Sequence, residues 1–330
     1  MNSKSQIKRN LILQWAEKSL ISDEKVFEAL KVSGILPDGR QWLDFVQKLL
    51  LFLGSLSFAF SAVFFIAYNW DLMGRFAKFG LLEILIFVAV FFYWNFRERN
   101  IYSGILLLTA SIFLGALLAL FGQTYQTGAD TWELFFNWAL LILPWVVAGK
   151  FAALWVLLVF LLNLSIFLYF EASGSLFGIF FESTEILLWI IFLFNTVSFA
   201  AFELAGKKFP WMAERWAVRL PAVASGSALT FLMIHVMFEE HSAHLYALVA
   251  CILWVSAVYF IYRKIIPDLF MLAGLCLSLI VIITSYFIKL IVESEIYDDA
   301  GVFLLIALLV IGMAAAAAVW LKKVYREQQK

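Results

Sequence analysis

Two stretches of this chain gather hydrogen-bonding and charged residues between apolar runs. The first is Asn69, Trp70 and Asp71, followed by Arg75 and Lys78. Arg75 and Lys78 are three residues apart, so a helix starting there presents both from one face. They could pair with Asp130 or Glu133, or hold an anionic ligand. The second stretch is 122–130, which contains Gly122, Gln123, Tyr125, Gly128 and Asp130 and no basic residue. A glycine near each end permits a tight or re-entrant backbone, and Gln, Thr and Tyr supply donors and acceptors. An ordinary polar turn is the bland alternative. The ligand-binding candidates are therefore Asn69, Trp70, Arg75, Lys78, Gln123, Tyr125 and Asp130, with Trp70 equally suited to anchoring a helix at an interface.

A second group of polar residues lies inside apolar runs: Glu83, Asn137, Asn163 and Asn195. A carboxylate at the middle of a membrane helix costs about 2.5–3.5 kcal/mol, so such a residue by default faces other helices or a wet cavity. The alternative for Glu83 is an uncharged side chain hydrogen-bonded to a neighbouring span. A third group is Glu239, Glu240, His241 and His244. Two imidazoles three residues apart beside carboxylates could ligate zinc or nickel. Only His235 lies nearby, so the set is incomplete and a solvated turn is the expectation. No metal and no cofactor is expected.

The elements that must position these residues follow from composition. The chain is 64% hydrophobic and only 15% charged, where a soluble domain is usually about 45–50% apolar and about 25% charged. Ten apolar runs near membrane-crossing length cover 49–68, 76–94, 101–121, 132–148 and 151–170, then 185–204, 220–238, 245–262, 269–288 and 302–321. About twenty residues at 1.5 Å each cross the hydrocarbon core. The fold class is all-α, a polytopic bundle of about ten spans, and strands of a barrel would alternate apolar and polar instead. The fourth run is the shortest and carries Asn137 and Pro144. Cys251 and Cys276 both fall inside runs, so no disulfide framework is expected. The first run starts near Leu49 behind a charged segment, which does not read as a cleavable signal peptide.

Charge fixes an expected orientation. If every run spans, all but three of the 24 Lys and Arg residues fall on one side, the exceptions being Arg75, Lys78 and Lys289. Basic loops stay cytoplasmic, so both termini are expected there. Residues 1–45 read as a small cytoplasmic helical hairpin, 46–321 as the bundle and 322–330 as a cytoplasmic tail. In the hairpin, Leu11, Trp15 and Leu20 suggest one apolar stripe. Ser22 suits an N-cap for a second helix bearing Val26, Phe27 and Leu30 that ends at Gly34. Small residues at Ser111, Gly115 and Ala119, at Ala222 and Gly226, and at 314–318 suggest close helix packing.

The outline Asn69-Trp70, Arg75, Lys78, Gly122-Gln123, Tyr125 and Asp130, with Trp15, Leu20, Ile21 and Ser22 before it, resembles a known family. It is similar, over roughly residues 10–150, to bacterial predicted membrane proteins of the domain of unknown function numbered 2157. The resemblance implies a bacterial membrane protein and carries no established activity.

Phosphate-binding loops, zinc-protease motifs, C-x-x-C and nucleophile elbows are all absent from the sequence. A zero net charge gives no sign of a nucleic-acid partner. Beyond the lipid bilayer, the expected partner is a small solute or a protein. Three readings follow, with the working face outside the cytoplasm. A carrier of a small polar or ionic solute predicts a wet mid-bilayer cavity lined by Glu83, Asn137, Asn163 and Asn195. A non-catalytic envelope scaffold or sensor, binding a partner through the outer loops or the N-terminal hairpin, predicts tightly packed spans without one. An enzyme acting on a lipid-linked substrate predicts that Asp130, Glu133, Arg75 and Lys78 converge.

Overall fold

A computed structural model describes residues 3–36, 38–96, 100–172, 183–239, 244–294 and 300–328. Among these, all regular structure is helical. Twelve α-helices occur, ten of them long and apolar enough to cross a membrane. The chain divides into two units, residues 1–61 with 325–330, and residues 62–324.

In the first unit, α1 (Ser3–Glu17) and α2 (Asp23–Val32) pack on one another. Ser22 takes the expected N-cap position, in extended backbone, although its hydroxyl makes no cap hydrogen bond. Gly34 ends α2 at φ 71°, a left-handed conformation that glycine adopts without strain. The apolar stripe is shifted from the expected one. Ile12 is buried, whereas Leu11, Trp15, Leu20 and Phe27 stay exposed. One neighbouring helix can cover only a narrow arc of α1. Helix α3 (Gly39–Tyr68) starts ten residues before its apolar run and continues through it unbroken.

In the second unit, α4 (Arg75–Asn95) pairs with α5 (Asn100–Tyr125), and α6 (Thr131–Gly149) with α7 (Ala152–Ala172). Next, α8 (Ser183–Lys208) pairs with α9 (Arg215–Phe238) through a 3-10 turn at Pro210–Met212. Then α10 (His244–Phe260) runs into a π-helical turn at Ile261–Ile265 and is followed by α11 (Leu269–Glu293) and α12 (Ala300–Gln328). Pro144 lies within α6, where neighbouring helices can satisfy the freed backbone.

Three apolar clusters hold the bundle. Leu107, Ile142, Val146 and Leu154 join α5, α6 and α7. Phe192, Leu229, Leu232 and Ala247 join α8, α9 and α10. Phe202, Val218, Tyr262, Leu272 and Val324 form the third. The expected small-residue packing occurs at Gly115, where an added Cβ would lie 2.4 Å from the Trp138 ring. The same indole donates from Nε1 to the Ser111 carbonyl at 2.8 Å. Residues 314–318 are instead mostly exposed. Helix packing in lipid gains little from apolar contact alone, so an Ala run is not forced against a neighbour.

Candidate functional site

The first predicted stretch folds into a turn and the first turn of α4. Asn69 closes α3: its Nδ2 donates to the Phe65 carbonyl at 2.8 Å, and its own carbonyl accepts from the Leu72 and Met73 amides. Lys78 is buried, at 6% exposure, with its ammonium 3.5 Å from the centroid of the Trp70 ring. Arg75 remains exposed, its guanidinium 4.9 Å from the Phe76 ring. The two cations therefore do not share one open face, because the ring of Trp70 captures only Lys78. Neither forms an ion pair with Asp130 or Glu133 among the described residues.

The second stretch is shorter than expected. Helix α5 continues through Gly122 and Gln123 to Tyr125, since nothing in Gln-Thr-Tyr interrupts its hydrogen-bond ladder. The break comes at Gln126, φ 45°, and Gly128, φ 66°. Tyr125 packs on Phe121 and Phe79 at 4.9 and 6.1 Å, and Asp130 occupies the N-cap position of α6 without a side-chain cap bond. Gln123 and Asp130 are exposed.

The four intramembrane polar residues do not share a cavity. Asn163 and Asn195 pair with each other, Asn163 Nδ2 to Asn195 Oδ1 at 3.1 Å and Asn195 Nδ2 to Asn163 Oδ1 at 2.5 Å. Each amide also donates to its own helix, to the carbonyls of Val159 and Ile191. Asn195 is fully buried. Glu83 and Asn137 lie on the exposed surface instead. Glu83 lines a crevice whose other walls are apolar. The wet cavity expected of a carrier is thus not formed by these four residues. His241, Glu240 and the side chain of His244 lie outside the described residues.

The densest polar cluster is one that sequence reading missed. Arg215 opens α9 and donates from Nη1 to Glu203 Oε1 on α8 at 2.8 Å. It also donates from Nη2 to Asp268 Oδ2 at 2.7 Å. Arg219, one turn later, donates from Nη2 to Asp268 Oδ1 at 3.0 Å. The Tyr262 hydroxyl, carried inward by the π-helical turn, donates to Glu203 Oε2 at 3.0 Å. Asp268 is 5% exposed and caps α11 by accepting from the Phe270 amide at 3.0 Å. Burial works against ionisation of Asp268, but the hydrogen bonds from Arg219 and Arg215 outweigh it and hold its carboxyl below the usual range. Two cations and two carboxylates thus close a charge-balanced clamp on the ends of α8, α9, α10 and α11. Arg215 and Arg219 counted in the sequence only as marks of sidedness. The readable signal was Asp268 directly ahead of an apolar run, a helix-start pattern.

Residues 13–155 match the model of a family described as "Predicted membrane protein (DUF2157)". The match bears out the resemblance carried by the two stretches around Asn69 and Gly122, and the chain is an integral membrane protein. No curated protein and no solved structure matches it. The DUF2157 region ends inside α7, so the clamp at Glu203, Arg215, Arg219 and Asp268 lies outside it.

Proposed function

We propose that this membrane protein is a non-catalytic scaffold or sensor that engages a protein partner, rather than a carrier of small solutes. The observation that carries this reading is the fate of the intramembrane polar groups. Asn163 and Asn195 consume each other's hydrogen bonds, and the crevices between helices are lined almost wholly by apolar side chains. A solute path needs polar groups left open to water or ligand. The enzyme reading draws no support either, since among the described residues neither Arg75 nor Lys78 forms an ion pair with Asp130 or Glu133.

The surface that suits a partner is the α1–α2 pair, where Leu20 and Phe27 keep 70% and 69% exposure. Clustered apolar side chains in water mark contact sites. With the basic side of the spans in the cytoplasm, this pair faces the cytosol. The inner membrane and cytoplasmic termini belong to the same proposal.

A thermal-shift screen of the purified protein against small polar and ionic solutes, at two pH values, tests the reading. No solute is expected to stabilise it. Stabilisation that grows with solute concentration and is lost in Asn195→Ala overturns the scaffold reading in favour of carriage. Labelling of a cysteine at position 207 from outside intact cells overturns the orientation.

A further inference from the structure

Glu83 and Asn137 are polar side chains on the outer surface of apolar helices. Glu83 stands on a wall of a crevice of about 480 Å³. Its floor is Leu114 and Leu117 of α5, and its walls are Glu83 and Phe87 of α4 and Leu141 and Trp145 of α6. Asn137 is one helical turn before Leu141, on the same stripe of α6. It too is exposed. Among the described residues neither side chain has a hydrogen bond or an ion pair.

The two groups lie at similar distances from the starts of their helices. Helices α4 and α6 both start from the side of the bundle opposite the clamp. At 1.5 Å per residue, Glu83 is about 12 Å along α4 and Asn137 about 9 Å along α6. A carboxyl group and an amide exposed on membrane-spanning helices are costly unless something covers them. One side chain is an acceptor and the other carries two N–H donors. A surface that bears both is complementary to itself.

We infer that a second copy of this chain occupies the α4–α6 crevice. A two-fold axis along the membrane normal lays α4 of one copy into the crevice of the other. Such a contact is isologous, so it is made twice. Each Asn137 amide then donates to the Glu83 carboxylate of the other copy, and both groups leave the lipid. This inference is independent of the partner reading above, because it involves neither α1 nor α2.

Energy transfer between donor- and acceptor-labelled copies in phosphatidylcholine vesicles, at falling protein-to-lipid ratio, tests it. The natural sequence should associate. Glu83→Leu and Asn137→Leu should each weaken association by roughly tenfold, given the modest worth of a hydrogen bond between membrane helices. Exchange of the pair, Glu83→Asn with Asn137→Glu, should restore it. A cross-link test avoids altering the polar pair. With Cys251 and Cys276 replaced by serine, copies carrying Phe87→Cys mixed with copies carrying Leu141→Cys should give a disulfide-linked dimer under mild oxidation. Monomers at every dilution overturn the inference, as does association untouched by both leucine variants. Failure of the cysteine pair to link copies that do associate overturns the placement at this crevice. A photo-reactive group at position 141 that links only other proteins overturns the second copy as occupant.

Discussion

Asp268→Asn should destabilise the protein more than any surface charge deletion of the same kind. The carboxyl side chain is 3% exposed and takes hydrogen bonds from two guanidinium groups as well as the Phe270 amide. Asparagine keeps the volume and one acceptor but removes the charge, leaving Arg215 with Glu203 and Arg219 without a carboxylate partner. Breaking a fully buried ion pair costs about 3–5 kcal/mol. The arginine side chains here keep 33% and 36% exposure, so water screens part of the loss. The expected cost is about 2–3 kcal/mol. For a protein of this size it appears as a fall of roughly 5–10 °C in unfolding midpoint, measured in detergent at one fixed scan rate. The control is Asp44→Asn, whose partner Lys48 lies 2.5 Å away with both side chains exposed, a pair worth about 0.3–0.5 kcal/mol. Adding Arg219→Gln to Asp268→Asn restores the charge balance and should recover part of the loss. If Asp268→Asn costs no more than Asp44→Asn, or if Arg219→Gln adds its full separate cost, the clamp is not the coupled unit described above.

The clamp also sets a pH dependence. Because the folded Asp268 carboxyl titrates below its ordinary value, its contribution is present above the unfolded carboxylate range and is lost as pH falls through the lowered folded value. A midpoint-versus-pH series should therefore show an acid-side decline that Asp268→Asn lacks. Gly115→Ala forces a methyl to within 2.4 Å of the Trp138 ring and should cost about 1–3 kcal/mol, read as a lower unfolding midpoint. Asn195→Leu leaves the Asn163 amide oxygen without its donor and should cost about 1–2 kcal/mol, while Asn163→Leu combined with Asn195→Leu should cost less than the sum of the two singles. Trp70→Leu and Lys78→Met should couple by about 1–2 kcal/mol in a double-mutant cycle, and additive effects would remove the cation–ring contact as a source of stability.

The ten spans were legible because each is a long apolar run, and every one corresponds to a helix. The helices extend past the runs into polar residues, as α3 and α5 do, because the backbone ladder does not stop where hydropathy does. Which face each helix buries was not legible. A span that is apolar all round carries no stripe to say where lipid lies. Asn137 and Asn163 therefore read alike, yet one faces outward and the other meets Asn195. The clamp was illegible for another reason. Arg215 and Asp268 are 53 residues apart, and only the folding of α9 against α11 brings them together.

The three cations that break the charge rule bear on where a ligand could bind. Each has a local partner. Lys78 lies over Trp70, Arg75 lies over Phe76, and Lys289 donates to the Met237 carbonyl at 2.5 Å with Glu293 at 3.4 Å. A cation on the less basic side costs less when a ring or carbonyl of its own chain takes up its charge. Each exception thus has a contact within the chain that offsets part of its cost. Glu83 and Asn137 have no such partner within the described chain. An exposed carboxyl group and amide without partners among the described residues ask for a covering surface in a way that the paired cations do not, and that places the contact on the α4–α6 face rather than the loops.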